Sequence, residues 1–256
     1  MRDELVDNLR QLLELDRGLG IEFQGRGGVT TSGERGAGSG EKPAPVPPTA
    51  AAVKPSLPAP RSPLPAPVPP DLAGIAAEIA RCRACGLCQS RTTTVPGEGS
   101  PTAELVFVGE GPGADEDASG RPFVGKAGEL LTRMIEAMGL TRDQVFICNV
   151  VKCRPPGNRT PAPEEVAACL GYLHRQLALI RPKAICTLGN TPLRALMADE
   201  SLGITRLRGT RLEWQGIPLI PTFHPAYLLR NPEGKKPAWE DLKAVLAVLG
   251  REVPRR

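Results

Sequence analysis

The chain has 256 residues, 41% of them hydrophobic, with 28 glycines, 28 prolines and a formal net charge of +4. That is apolar material for one good core, but Gly and Pro are unevenly spread, so part of the chain is expected to stay outside it. So small a charge leaves any affinity for nucleic acid to a local basic surface, while seven cysteines, no signal peptide and no apolar run of 18 residues argue against a secreted disulfide scaffold and a membrane span, and for a reducing cytoplasm.

Residues 1–17 read as a short amphipathic helix, with Leu5, Leu9, Leu12 and Leu13 at i, i+4, i+7 and i+8. It either docks on the chain's own domain or serves a protein partner. Residues 18–70 are Gly-rich and then hold twelve prolines over 43–70, a flexible stretch followed by a stiffer one, both expected to be disordered. Asp71 is a credible N-cap for a helix carrying Leu72, Ile75 and Ile79, which delivers the chain to Cys82-Arg83-Ala84-Cys85-Gly86-Leu87-Cys88. The folded domain is expected over 71–250, with 251–256 as a tail.

Leu105 to Val108 is a continuous apolar run, as expected of a strand buried on both faces. The loop after it holds Gly109, Gly111, Pro112 and Gly113 with Glu110, Asp115, Glu116 and Asp117. Its glycines bring bare backbone close to a ligand at the strand's carboxyl end. Its carboxylates suit stabilising positive charge, binding a metal or positioning water, and suit phosphate poorly. A helical stripe over Leu130–Met138 follows, then a second strand over Val145–Val151, a helix from Thr160-Pro161 to about Ile180 and a third strand over Ala184–Gly189. Asn190 caps a helix through Met197; Arg211–Trp214 and Ile217–Thr222 form a hairpin about Gln215-Gly216 that leads into Phe223-His224-Pro225-Ala226-Tyr227-Leu228-Leu229-Arg230; a last helix spans about 237–249. The alternation predicts an α/β fold with a mostly parallel sheet, helices on both faces and functional loops at one edge.

Cys82-x-x-Cys85 can grip a metal on its own turn but needs two more soft ligands, for which Cys153 and Cys169 are the best candidates. Cys148 and Cys186 fall inside apolar strands and read as core residues; Cys88 is ambiguous. Spacing alone leaves a structural zinc site and an iron–sulfur cluster in equal contention, with unrelated free thiols as a third reading.

GEGPGADEDASGRPFVGKAG, the Asn149 strand with NVVKCRPPGNRTP, the FHPAYLLR segment and the four-cysteine pattern together resemble the family 4 (iron–sulfur) uracil-DNA glycosylases over roughly residues 71–250. The resemblance implies a three-layer α/β/α sandwich around a central, mostly parallel four-stranded sheet. It also implies a structural [4Fe-4S] cluster on Cys82, Cys85, Cys153 and Cys169, no divalent metal for the chemistry, and a monomer acting on uracil in single- or double-stranded DNA. In that light Phe123 stacks on a flipped base, and Asn149 accepts from uracil N3–H and donates to O4, a pattern that cytosine reverses. His224 donates to O2 as negative charge grows there. Glu110, helped by the backbone of Gly109 and Gly111, positions water or opposes the cationic sugar. The better-known uracil glycosylases have an aspartate where this chain has Gly111, so Glu116 is a second candidate, shaping the wall that excludes thymine's methyl. Asp115 and Asp117 are expected to brace the loop or stay solvated, and His174 to lie at the surface.

Leu228, with Tyr227 and Arg230 beside it, is expected to wedge into the gap left by the flipped base, and Arg206, Arg208, Arg211, Lys235 and Lys236 to meet phosphates. Two rival readings are a uracil-DNA capture protein and a repair or replication scaffold. The capture branch uses a histidine in an inserted basic loop, and this chain has no such insertion after the CRPP loop and no histidine within Arg206–Arg211.

Overall fold

The computed structural model describes residues 71–254; the helix and the Gly/Pro-rich segment expected over 1–70 lie outside the described residues, as does the end of the tail. Helix α1, Leu72–Arg81, starts where Asp71 Oδ1 accepts the Gly74 N–H at 2.7 Å, and buries Ile75 and Ile79. A two-residue strand β1, Glu98–Gly99, precedes β2, Leu105–Gly109, in which every residue is buried. The acidic loop after β2 is partly a helix, α2, Ala114–Ser119. Its three first-turn carboxylates favour the helix N-terminus, and Glu116 closes the cap by accepting the Gly113 N–H at 3.0 Å.

Helix α3 spans Lys126–Ala137, β3 Phe146–Asn149, α4 Pro163–Ile180, β4 Ala184–Leu188 and α5 Asn190–Met197. A single turn, α6, Ile204–Leu207, leads to β5, Leu212–Trp214, and β6, Ile217–Thr222, closed by the expected Gln215-Gly216 turn. Helices α7, Pro225–Arg230, and α8, Lys235–Val248, complete the domain. Among the described residues no helix is long and apolar enough to cross a membrane.

The sheet runs β1-β3-β2-β4-β6-β5. Its four central strands are mutually parallel, as expected; β1 and β5 add antiparallel edges, which makes six strands where four were expected. Side chains alternate across it with the period of a strand. Leu105, Phe107, Cys186 and Ile220 face a core completed by α3, α7 and α8, whereas Val106, Val108, Ile185 and Leu219 face one completed by α4 and α5. The fold is therefore a three-layer α/β/α sandwich, and burying each large core side chain contributes about 1.5–3 kcal/mol.

Candidate active site

All four parallel strands end at one edge, and the residues that follow them line a single cleft of about 790 Å³. Strand β2 delivers Glu110, β3 delivers Asn149, β4 leads to Asn190 and Thr191, and β6 delivers Phe223 and His224. The register places Gly109 directly beside Asn149. A Cβ at Gly109 would collide with Asn149 Oδ1 and lie 2.6 Å from the Phe123 ring, so only glycine lets these two side chains meet.

Asn149 is 1% exposed, and its Oδ1 has no hydrogen-bond partner. A buried, unpaired amide oxygen on a cleft wall is costly unless a ligand donates to it. Phe123 adopts φ +53, unusual for a bulky residue. Arg142 holds this conformation through the carbonyls of Pro122 and Phe123 at 2.8 and 3.1 Å. The Phe123 ring lies 5.7 Å from the His224 ring, so a flat apolar face and an imidazole share the pocket.

His224 caps α7, its Nδ1 accepting the Ala226 N–H at 3.1 Å. Burial pushes its pKa down to about 4, the Arg230 charge adds to that, and Glu116 opposes it. The ring is therefore neutral near pH 7, with its proton on Nε2. Glu110 accepts from the Thr191 hydroxyl at the start of α5. The two glutamates of the acidic segment thus differ. Glu110 is steered by a side chain, whereas Glu116 spends both oxygens on the N–H groups of Gly113, Val124 and Gly125 at 2.9–3.2 Å. Glu116 still lines the cleft, but it braces the segment that presents Phe123 and has little capacity left for water. Asp117, 3% exposed, braces Thr92 and Thr93, and Asp115 is exposed.

Leu228 is 1% exposed and belongs to the core under α3 and α8, so α7 turns it away from the cleft. The cleft face of that helix carries Tyr227, 39% exposed, and Arg230. Two of the expected phosphate contacts are also turned inward. Arg208 pairs with buried Asp241 at 2.7 Å and lies 5.4 Å over Phe223, and Lys235 is 7% exposed. Arg206, Arg211 and Lys236 are exposed. His174, expected at the surface, packs against Trp214 with ring centroids 5.2 Å apart.

Apart from the cleft, Cys82, Cys85, Cys88, Cys153 and Cys169 line a second cavity with Ile79, Leu87 and Tyr172. Arg91 Nη1 donates to Cys153 Sγ at 3.2 Å and the Lys152 N–H to Cys169 Sγ at 3.3 Å. Burial pushes the Cys169 thiol up to about 11, opposed by the charge of Lys152. Among the described residues no three Cys, His, Asp or Glu groups gather closely enough for one metal ion. An all-sulfur donor set around one cavity, with N–H groups aimed at two of the sulfurs, fits a thiophilic metal group, whether zinc or iron–sulfur. Cys148 and Cys186 lie in the core, as expected.

Sequence reasoning missed Thr191, Arg142, Arg91 and the pair Lys152–Gln176. Only Lys152 carried a signal, its place beside Cys153.

The family described as the Uracil DNA glycosylase superfamily matches residues 96–243. A Type-4 uracil-DNA glycosylase of Thermotoga maritima is 46% identical over 181 residues, covering 70% of this chain and 94% of that protein. Its counterpart from Sulfurisphaera tokodaii is 50% identical over 182 residues, covering 68% and 83%. A Type-5 uracil-DNA glycosylase of Pyrobaculum aerophilum is 32% identical over 155 residues, covering 54% and 67%.

Proposed function

This chain belongs to the type-4 uracil-DNA glycosylases, and on that premise we propose that it flips uracil out of DNA into the cleft and hydrolyses the N-glycosidic bond, leaving an abasic site. The observation that carries the reading is the unpaired Oδ1 of Asn149 on the cleft wall beside His224. Uracil N3–H is the donor that oxygen lacks, and the amide nitrogen donates to O4. Cytosine offers an acceptor at N3 and a donor at C4, leaving both ends of the amide opposed by like groups. Phe123 stacks on the base.

As the C1′–N1 bond breaks, its electron pair moves into the uracil ring and negative charge gathers on O2. His224 Nε2–H donates to that oxygen, and the neutral ring does so without transferring its proton. The sugar becomes cationic. Glu110, oriented by Thr191, opposes that charge and takes a proton from the water whose oxygen forms the new bond to C1′. Tyr227 fills the place of the extruded base and Arg230 pairs with a flanking phosphate.

Cys82, Cys85, Cys153 and Cys169 would hold a [4Fe-4S] cluster, supported by the shared cavity and the sulfur-directed donors. Bound there, the cluster would tie together the segments that carry these cysteines and supply a structural role. Cys88 is then a fifth, spare thiol.

The test incubates the anaerobically purified protein with a labelled uracil oligonucleotide and then with alkali. Free uracil and alkali-labile cleavage at its position are expected. Intact DNA held in a denaturant-resistant complex would replace this reading with a capture protein, and intact, unbound DNA would overturn it.

A further inference from the structure

Lys152 is 1% exposed and among the largest fully buried side chains. Its Nζ donates to the Asn149 carbonyl oxygen at 2.8 Å and to Gln176 Oε1 at 2.7 Å. Both acceptors are neutral, and no carboxylate among the described residues pairs with it. A buried ammonium without a counter-charge is expensive, so the fold keeps this one for a reason other than its own stability.

The residue links two sites. On one side it holds the backbone of Asn149, the residue whose unpaired amide faces the cleft. On the other, the residue lines the cysteine cavity, its backbone N–H points at Cys169 Sγ, and Cys153 is the next residue. Gln176 cannot drift, because its Nε2 donates to the Pro96 carbonyl at 2.7 Å, and the Lys152 carbonyl accepts the Val95 N–H at 2.8 Å. Lys152 is thus fixed at both ends of its side chain. A cluster held by four thiolates carries negative charge, and the residue that bears the ammonium donates its own backbone N–H to Cys169, one of the sulfurs that would hold it.

We propose that Lys152 is a positioning residue joining the two sites: its ammonium is the counter-charge of the cysteine-held cluster, and its bond to the Asn149 carbonyl fixes the amide that reads uracil. The inference rests on the functional reading above. Loss of the cluster then leaves the ammonium without its counter-charge and weakens its hold on Asn149, so a group remote from the reacting bond influences base recognition through one side chain.

The test uses the full-length, cluster-loaded protein with Lys152→Met, which keeps most of the length but loses charge and donors, Lys152→Arg, which keeps both, and Gln176→Glu, which sets a carboxylate against the ammonium but gives up the Pro96 bond, with Gln176→Met, which gives up that bond without adding charge, as its control. Two quantities are read: the decay of the cluster's visible absorption under an iron chelator, and kcat/KM for a uracil oligonucleotide normalised to iron content. Lys152→Met is expected to lose the cluster about ten-fold faster and to lose about ten-fold in kcat/KM. Lys152→Arg falls between it and the parent. Gln176→Glu is expected to lose the cluster faster than Gln176→Met while both melt cooperatively, and that difference decides the matter if Lys152→Met does not fold. Parent-like cluster retention in the folded variants would overturn the proposal, as would faster cluster loss with unchanged kcat/KM. Failure of the parent itself to release uracil would instead strike the functional reading, while the chelator readout still decides the counter-charge.

Discussion

His224 Nδ1 accepts the backbone N–H of Ala226 at 3.1 Å, and this one bond leaves Nε2 as the nitrogen that carries the ring proton. Burial then holds the ring neutral by lowering its pKa to about 4. The chain has only two histidines, so an NMR titration can resolve them. The His224 resonances are expected to titrate near pH 4, and uracil release to show no ionisation of this ring between pH 5 and 8. A titration near 6.5 would mean that the ring is solvated and that its donor role requires the charged form.

Gly109 lets the Asn149 and Phe123 side chains approach each other over bare backbone, as the proposed reading of one base by both requires. Gly109→Ala drives a methyl group into both side chains and is expected to lower kcat/KM about 100-fold while the protein still melts cooperatively, since misplacement of about 1 Å costs that much in catalysis. Steady-state kinetics beside a melting curve checks this, and a parent-like rate would show that the two side chains need no such approach.

Leu228 and Tyr227 are adjacent in sequence and opposite in exposure. Leu228→Ala removes a core side chain and is expected to cost about 2–5 kcal/mol of stability. Tyr227→Ala leaves stability near that of the parent and raises KM for duplex substrate more than for single strands, because the gap to be filled exists only in a duplex. Denaturant unfolding and kinetics on both substrates separate the two; the reverse pattern would restore Leu228 as the wedge.

Asp241 ties β6 to the site from behind. It accepts from the Thr222 hydroxyl at 2.7 Å and from Arg208, whose guanidinium lies over Phe223. Burial raises its pKa from an ordinary 3.8 to about 6, and the bonds from Thr222 and Arg208 only partly offset this. A carboxyl raised on folding contributes stability that is complete below about 3.8 and is lost as pH rises through about 6. The melting temperature of Asp241→Asn, minus that of the parent, is therefore expected to grow between pH 4 and 7 and then level off. A flat difference would mean that the Arg208 pair compensates the burial in full.

The sheet and the central site were legible because their signals are local. Asn149 ends an unbroken apolar strand, His224 follows another, and glycines mark the β2 exit, so topology alone brings them to one edge. What sequence reasoning misjudged depends on which way a short helix turns or on partners distant in the chain. One turn of α7 decides between Leu228 and Tyr227, and nothing within six residues specifies which faces the core. Arg208 reads as a free cation until Asp241 arrives 33 residues later. Glu116 was read as loop because its cap is a glycine backbone, without the side chain that usually marks a helix start. The strand β1 is too short for any periodicity to register.

The central claim is that uracil is read by Asn149 and activated by His224. The measurement closest to it is the single-turnover rate of uracil release for the parent, Asn149→Ala and His224→Ala, each with full iron content and a parent-like melting temperature. The account predicts a fall of about 100-fold or more in both variants, comparable to losing one preorganised donor at a developing oxyanion. A folded, cluster-loaded variant of either residue that releases uracil at the parent rate would contradict it.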